Sequence, residues 1–422
     1  MTATPTPGPA GAGTDPPGTD PPGTDAVRAA VEAHRAEVVA AARALHADPE
    51  LMFEEHRAAA HLAGALERGG LAVDRSAFGL PTAFAARAGD RGPTVALCLE
   101  YDALPGIGHG CGHNLIAAAG LGAALGLVGL AAGAGGRLLV LGTPAEEGGG
   151  GKVLMAEAGA FDGVAAALMV HPAGVDLTEP DVLAIATLRV TYEGRAAHAA
   201  AAPHAGRNAL DAAVLGYSAV AALRQHITAR ERVHGVFREA GDKPNIVPAR
   251  AVAEWYVRAA TLDRLHALTD RVRACLEGGA MAAGCTMTVE ATAPEYSELR
   301  TNRALLERYG VHAADLGRPL AEPDEETRIA ASTDMGNVSL LVPSIHPMVA
   351  VAPPGVALHT VEFAEWAASP AAEEAALDAA TALALTTLDV WTDPGLRGRA
   401  AEEHTAAGAP PATVPHPEAR EP

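Results

Sequence analysis

The chain has 422 residues, 49% of them hydrophobic and only 4% aromatic, with a formal charge of −20. That length exceeds one ordinary core and predicts two domains. The acidic balance leaves no basic surplus for nucleic-acid phosphates or an anionic membrane surface, and excludes both as partners. Four cysteines, Cys98, Cys111, Cys275 and Cys285, are too few for a disulfide framework.

Residues 1–24 carry a Gly-Thr-Asp-Pro-Pro repeat at Gly13 and Gly18 and read as a disordered leader. No basic, apolar secretory signal precedes Arg28, so a cytoplasmic location is expected. Asp25 can cap a helix running to Ala47, and a second helix covers Glu54 to Gly69. A strand at Thr94 to Leu99, a helix from Leu115 to Ala132, a strand at Leu138 to Leu141, a helix at Gly151 to Ala158 and a strand at Ala166 to Val170 follow. This alternation predicts an α/β domain whose mixed sheet is covered by helices on both faces. Leu115 to Gly136 is a 22-residue run without charge. Its seven glycines and its place between strands favour a buried helix over a membrane span.

The middle of the chain changes character. Strands at Val182 to Glu193, Ala251 to Ala260 and Thr286 to Ala291 alternate with helices at Asn208 to Arg230 and Leu262 to Ala282. We expect an inserted α+β domain of ferredoxin-like type over 184–297. The flanking segments 25–183 and 298–393 then form the first domain, which resumes with a helix at Asn302 to His312 and a strand at Met348 to Ala352. Residues 394–422 read as a disordered tail.

Ligand-type residues recur after strands. The strand at 94–99 leads into Glu100, Asp102, His109, Cys111 and His113; that at 138–141 into Glu146 and Glu147; that at 166–170 into His171; and that at 348–352 into His359. Strand ends are where α/β proteins place chemistry, and thiol, imidazole and carboxylate together suit zinc or manganese. Neighbours in an extended loop point opposite ways, so one of Glu146 and Glu147 can face a metal and the other a substrate, as general base. Glu100 and His109 stay open as additional ligands. His204, His226, His234, His266, His312 and His346 read as surface or packed histidines.

His46-Ala-Asp-Pro49-Glu50-Leu51-Met-Phe53-Glu-Glu55, Tyr101-Asp102-Ala-Leu-Pro105, Gly-His109-Gly-Cys111-Gly-His113-Asn114 and Pro144-Ala-Glu146-Glu147-Gly together resemble the M20 metallopeptidases. The form of the cysteine motif, with Ser332-Thr-Asp334-Met-Gly-Asn337 later, is most similar to the amidohydrolase group of peptidase M20 domain-containing protein 2 and p-aminobenzoyl-glutamate hydrolase. The resemblance implies a metal-dependent hydrolase of small N-acyl amino acids or dipeptides with two divalent ions, zinc or manganese. Cys111, His113, Glu147, His171 and His359 would hold the metals. Glu146 would be the general base, and Asp102 would orient an imidazole ligand. The inserted domain would act as a lid and homodimer interface, its His198 stabilising the transition state in a neighbouring subunit. Asn245 would contact substrate and Arg258 the substrate carboxylate. The wider family's His-x-Asp-x-x-Pro motif appears here with Glu100 in place of histidine. The alternatives are a non-catalytic or conditionally active subunit of a heteromeric amidohydrolase, and a redox protein built on Cys111. No Gly-x-Ser-x-Gly elbow supports a serine nucleophile.

Overall fold

The computed structural model describes residues 23–408, apart from 326, 328 and 329. The expected leader and the end of the expected tail lie mostly outside the described residues.

The chain opens on α1 (Thr24–Ala33), α2 (Arg35–Ala47) and α3 (His56–Arg68). The single helix expected from Asp25 to Ala47 is broken at His34, and Gly23 rather than Asp25 is the N-cap. Strands β1 (Ala72–Arg75), β2 (Phe84–Ala88) and β3 (Thr94–Leu99) lead to helices α4 (His113–Leu127) and α5 (Ala131–Ala134). Next come β4 (Arg137–Gly142), α6 (Gly151–Glu157) and β5 (Val164–Leu168). Far along the chain, β13 (Ser344–Ile345) completes a sheet of order β1-β2-β4-β3-β5-β13. The β3, β4, β5 and β13 pairings are parallel, while β1–β2 and β2–β4 are antiparallel.

Alternation along β3 explains the layers. Val95, Leu97 and Leu99 enter one core and Ala96 and Cys98 the other, so both faces of the sheet are covered. The first core takes α1 to α4 together with α9 (Arg303–Asp315) and α12 (Pro370–Thr392). The second takes α6 and α10 (Met335–Leu341). Helix α4 is buried on every side, which accounts for its charge-free sequence. A side chain at Gly120 would meet Leu99 at 2.4 Å, so the bare backbone is what lets α4 lie on the sheet. Among the described residues no helix is long and apolar enough to cross a membrane.

Short elements β6 (His171–Ala173) and β7 (Asp181–Val182) lead to a second sheet. Its elements run β8 (Ala184–Glu193), α7 (Ala209–Leu223), β9 (Arg232–Glu239), β10 (Arg250–Ala259), α8 (Leu262–Ala283) and β11 (Thr286–Ala291). The antiparallel order β11-β8-β10-β9 is the split βαβ arrangement expected of a ferredoxin-like unit. One face, with Leu188, Val190, Trp255 and Val257, packs on α7 and α8 in a separate core. The other face carries Ile185, Thr187, Tyr256 and Arg258 towards the site described below.

Two expectations fail here for tertiary reasons. The helix expected to reach Arg230 stops at Leu223, because Glu231 accepts the Thr228 N–H and Arg224 Nε donates to Val233 O, turning the chain into β9. Strand β9, not foreseen, is an edge strand with mostly exposed side chains and so lacks a buried apolar pattern. The tail expected from 394 instead begins as α13 (Pro394–Ala406). Asp393 caps it, Pro394 starts it, and Leu396 and Ala400 bury against the body, where Asn302 Nδ2 donates to Ala400 O. The remaining elements are β12 (Ala330–Ala331), which pairs with β7, β14 (Met348–Ala350), which pairs with β6, and α11 (Val361–Trp366).

Leu97 lies wholly buried at the centre of the main sheet. Leu97→Ala is expected to destabilise the protein by about 2–5 kcal/mol, measured as a shift in the urea unfolding midpoint.

Candidate active site

The carboxyl ends of β3, β4 and β5 discharge three polar loops onto one edge of the main sheet. The fourth, which carries His359, follows β14, and β14 pairs with β6 rather than with the main sheet. A direct bond from His359 N–H to Gly110 O, 2.8 Å, joins it to the Cys111 loop. His359 has a positive φ of 63°, a conformation that is uncommon for a non-glycine residue and clusters at functional sites.

Three donor sets converge there: Cys111, His113 and His171; Cys111, Glu147 and His359; and Glu100, His113 and Glu146. In each set the ligand atoms lie within 4.8 Å of one another. Cys111 Sγ is 3.4 Å from His171 Nε2, and Glu147 Oε1 is 3.5 Å from His359 Nε2. His113 Nε2 faces Glu100 Oε2 at 3.5 Å and Glu146 and Glu147 oxygens at 3.9 Å. Asp102 organises the group. Its Oδ1 accepts from His113 Nδ1 at 3.0 Å, and its Oδ2 accepts the Glu147 N–H at 2.9 Å. His171 Nδ1 donates to Pro172 O at 2.8 Å. Both imidazoles therefore hold a proton on Nδ1 and turn Nε2 towards the cluster, the nitrogen left to bind a metal once it is free of its proton.

His113 Nε2, Glu100 Oε2 and Glu147 Oε1 are buried without a hydrogen-bond partner among the described residues. Such atoms are costly unless something compensates them, and a divalent cation would. One thiol, several imidazoles and carboxylates form a donor set suited to transition metals, so the residues present fit a metal centre.

The electrostatics agree. Burial, with Glu100 and Glu147 nearby, pushes the Glu146 carboxyl well above the usual range, and burial raises Glu147 as well. Burial pushes the Cys111 thiol up. For His113 burial works against the imidazolium, but Asp102 outweighs it and holds the ring well above its usual value. His171 is driven down to about 3 by burial and by the neighbouring His346 and His113.

Beneath this layer lies a charge triad that the sequence reading did not identify. The fully buried Lys152 ammonium sits 2.5 Å from Glu100 Oε1 and 2.6 Å from Asp334 Oδ1. Burial penalises Glu100, but Lys152 holds its carboxyl low, at about 2. Glu100 thus has one oxygen in the triad and the other facing His113. His109, the second open candidate, is turned elsewhere: its Nε2 is 3.1 Å from Leu45 O and its ring stacks on His46.

A cavity of about 620 Å³ opens over the donor cluster. Cys111, Glu146, Glu147, His171 and His359 lie at its floor, and Ile185, Thr187, Tyr256 and Arg258 of the second sheet form the opposite wall. Arg258 donates to Ser332 Oγ at 2.7 Å and makes no ion pair among the described residues. His346 also lines the cavity, 2% exposed, with its ring 5.6 Å from that of His171. It is packed, one of the two states expected of it, and among the described residues both of its nitrogens lack partners. It directly follows the two-residue strand β13, which the sequence analysis did not anticipate.

Two expected site residues are not brought to the cavity within one chain. His198 is exposed on the second unit, where its Nδ1 accepts the Ala201 N–H at 3.1 Å and the Ala200 N–H at 3.3 Å. That arrangement places the proton on Nε2. Asn245 is exposed beside it, its carbonyl accepting the Ala199 N–H.

Residues 184–282 match the model of the peptidase dimerisation domain of the M20 family. The chain is 41% identical to the Xaa-Arg dipeptidase of Mus musculus over 372 residues, covering 85% of this chain and 86% of that protein. It is 32% identical over 451 residues to one of the two subunits of the p-aminobenzoyl-glutamate hydrolase of Escherichia coli (strain K12), covering 89% and 93% of the two chains. Its fold is shared with a dinuclear metal-binding peptidase of Bacillus subtilis, with a TM-score of 0.65, 21% identity and coverage of 86% and 99%. With that identity over so much of both chains, this chain belongs to the M20 family of metal-dependent amide hydrolases.

Proposed function

We propose that the chain hydrolyses the amide bond of dipeptides or N-acyl amino acids that carry a free C-terminal carboxylate. The observation behind this reading is one cavity lined by a convergent donor set, a carboxylate beside it and a guanidinium that has no ion pair among the described residues. The relatives are named for a dipeptidase and an aminobenzoyl-glutamate hydrolase, and the substrates in both names end in a carboxylate. Because both the donor set and Glu146 are present, nothing favours a non-catalytic subunit.

In this reading Cys111, His113, Glu147, His171 and His359 hold two divalent ions, zinc or manganese. Ions held there would supply Lewis acidity for the amide carbonyl and for water. Glu146 takes the proton from the attacking water and returns it to the leaving nitrogen. Arg258 holds the substrate carboxylate and so fixes the scissile bond over Glu146. Residues 25–183 and 298–393 form the catalytic unit, and 184–297 form the lid, which pairs two copies into a homodimer. His198 of a second copy, its proton on Nε2, donates to the developing oxyanion, and Asn245 of that copy contacts the substrate. We read the enzyme as cytoplasmic.

Three outcomes follow. Glu146→Gln should lower kcat/KM by about 10³-fold or more while elemental analysis still finds the metal. Arg258→Met should raise KM by about 10- to 100-fold with kcat little changed, as steady-state kinetics will show. Metal affinity should rise with pH, because the Cys111 thiol, the Glu147 carboxyl and the His113 ring are all shifted upward and each must lose a proton to bind. Chelator competition between pH 6 and 8 is expected to show at least ~10-fold tighter binding per pH unit, one proton or more being released per ion.

A further inference from the structure

We propose that Glu55 is a positioning residue for Glu146: it holds the preceding backbone in the left-handed turn that aims the Glu146 carboxylate into the cavity. The proposal rests on the reading of Glu146 as general base.

Glu55 is 0% exposed, yet among the described residues no cation pairs with it. Burying a carboxyl in this way is costly, so its role must lie in what it touches. It directly precedes α3, but its side chain does not cap that helix. Glu50 does so instead, its Oε2 accepting the N–H groups of Arg57 and Ala58 at 2.8 Å. Glu55 is thereby free to reach across the fold, where its Oε1 accepts the Ala145 N–H at 2.8 Å. The other oxygen has no hydrogen bond of good geometry, with Thr82 its polar neighbour.

Ala145 is the residue before Glu146, wholly buried, with φ at 59°. That conformation is unfavourable for a residue with a Cβ and persists only where its surroundings impose it. Its carbonyl accepts from Gly149 and Gly150 N–H groups at 3.0 and 2.9 Å. The turn is also closed sterically, since a Cβ at Gly149 would lie 2.6 Å from that of Ala145 and 2.5 Å from the Phe53 ring. Farther along, Glu146 O accepts from Tyr296 Oη at 2.7 Å and the Glu147 N–H donates to Asp102. Three successive residues are thus pinned, and Glu55 supplies the pin that sets the torsion just before the base. Without it the Ala145 N–H is a buried donor with no acceptor, and the turn relaxes towards negative φ, carrying Glu146 with it.

The same segment holds the other side of the site. Glu50 O accepts the Ala103 N–H at 2.8 Å, next to Asp102. Residues 50–57 therefore brace both the loop of the base and the loop that orients His113.

The test compares the metal-loaded full-length enzyme with Glu55→Gln, Glu55→Asp, Glu55→Ala and Glu146→Gln, on whichever dipeptide or acyl-amino acid the parent cleaves fastest. Glutamine keeps an acceptor at the same reach, whereas aspartate keeps the charge one methylene too short. Glu55→Asp and Glu55→Ala should lose about 100-fold in kcat with KM within about threefold and metal content unchanged, while Glu55→Gln stays within about fivefold of the parent. Should the alanine variant fail to fold, the split between glutamine and aspartate decides. Equal kcat in the aspartate variant and the parent overturns the proposal, as does a glutamine variant impaired as badly as aspartate, or a kcat loss matched by loss of metal. Activity retained in Glu146→Gln overturns the base assignment and this proposal with it. An inactive Glu146→Gln beside an unimpaired Glu55→Asp overturns the positioning role alone.

Discussion

The constraint on which this structure turns is the burial of more ligand atoms than the chain can satisfy from within. His113 Nε2, Glu100 Oε2 and Glu147 Oε1 face one another with no hydrogen bonds among the described residues. Burial is the main reason that Glu146 and Glu147 are both pushed upward, and neighbouring carboxylates, Glu100 and Glu147 for the first and Asp102 for the second, add to it. The chain places one internal cation, Lys152, on the deepest pair, Glu100 and Asp334. It leaves the outer layer to be neutralised by something the polypeptide does not provide. Removing a metal from such a centre and keeping its fold are opposing demands, and the hydrogen bonds of Asp102 to His113 and Glu147 are what reconcile them.

The rest of the fold serves that arrangement. Parallel strands β3, β4 and β5 end together, so loops distant in sequence open side by side. Close packing of α4 on the sheet fixes the start of that helix, which is His113 itself. The second sheet turns its apolar face to its own helices and its other face to the cavity, so the cavity is lined by two separately packed units. Tyr296, whose hydroxyl reaches Glu146 O, stands where the two meet.

Much of this was legible in the sequence because it is local. Strand β3 and the turn-rich loop after it announce themselves by alternation and by glycine spacing, and the charge-free α4 is recognisable as a buried helix. Strand-end position marked a wider group of ligand-type residues, and the resemblance to the M20 metallopeptidases singled out the five proposed ligands among them. What escaped notice is non-local. Lys152 looks like a surface lysine at a helix start, and only the folded chain shows Glu100 and Asp334 on either side of it. His346 carries no spacing signal and becomes a cavity residue through the pairing of β13 with β5. Strand β9 was hidden because edge strands expose charged side chains, and α13 because its buried face is only Leu396 and Ala400.

The central claim is a two-ion centre built on Cys111, His113, Glu147, His171 and His359. Anomalous diffraction at the manganese edge, from crystals grown with Mn²⁺, tests it most directly. The account predicts two peaks within bonding distance of those five side chains, which make up two of the three donor sets. A single peak, or peaks seated on other residues, would contradict it.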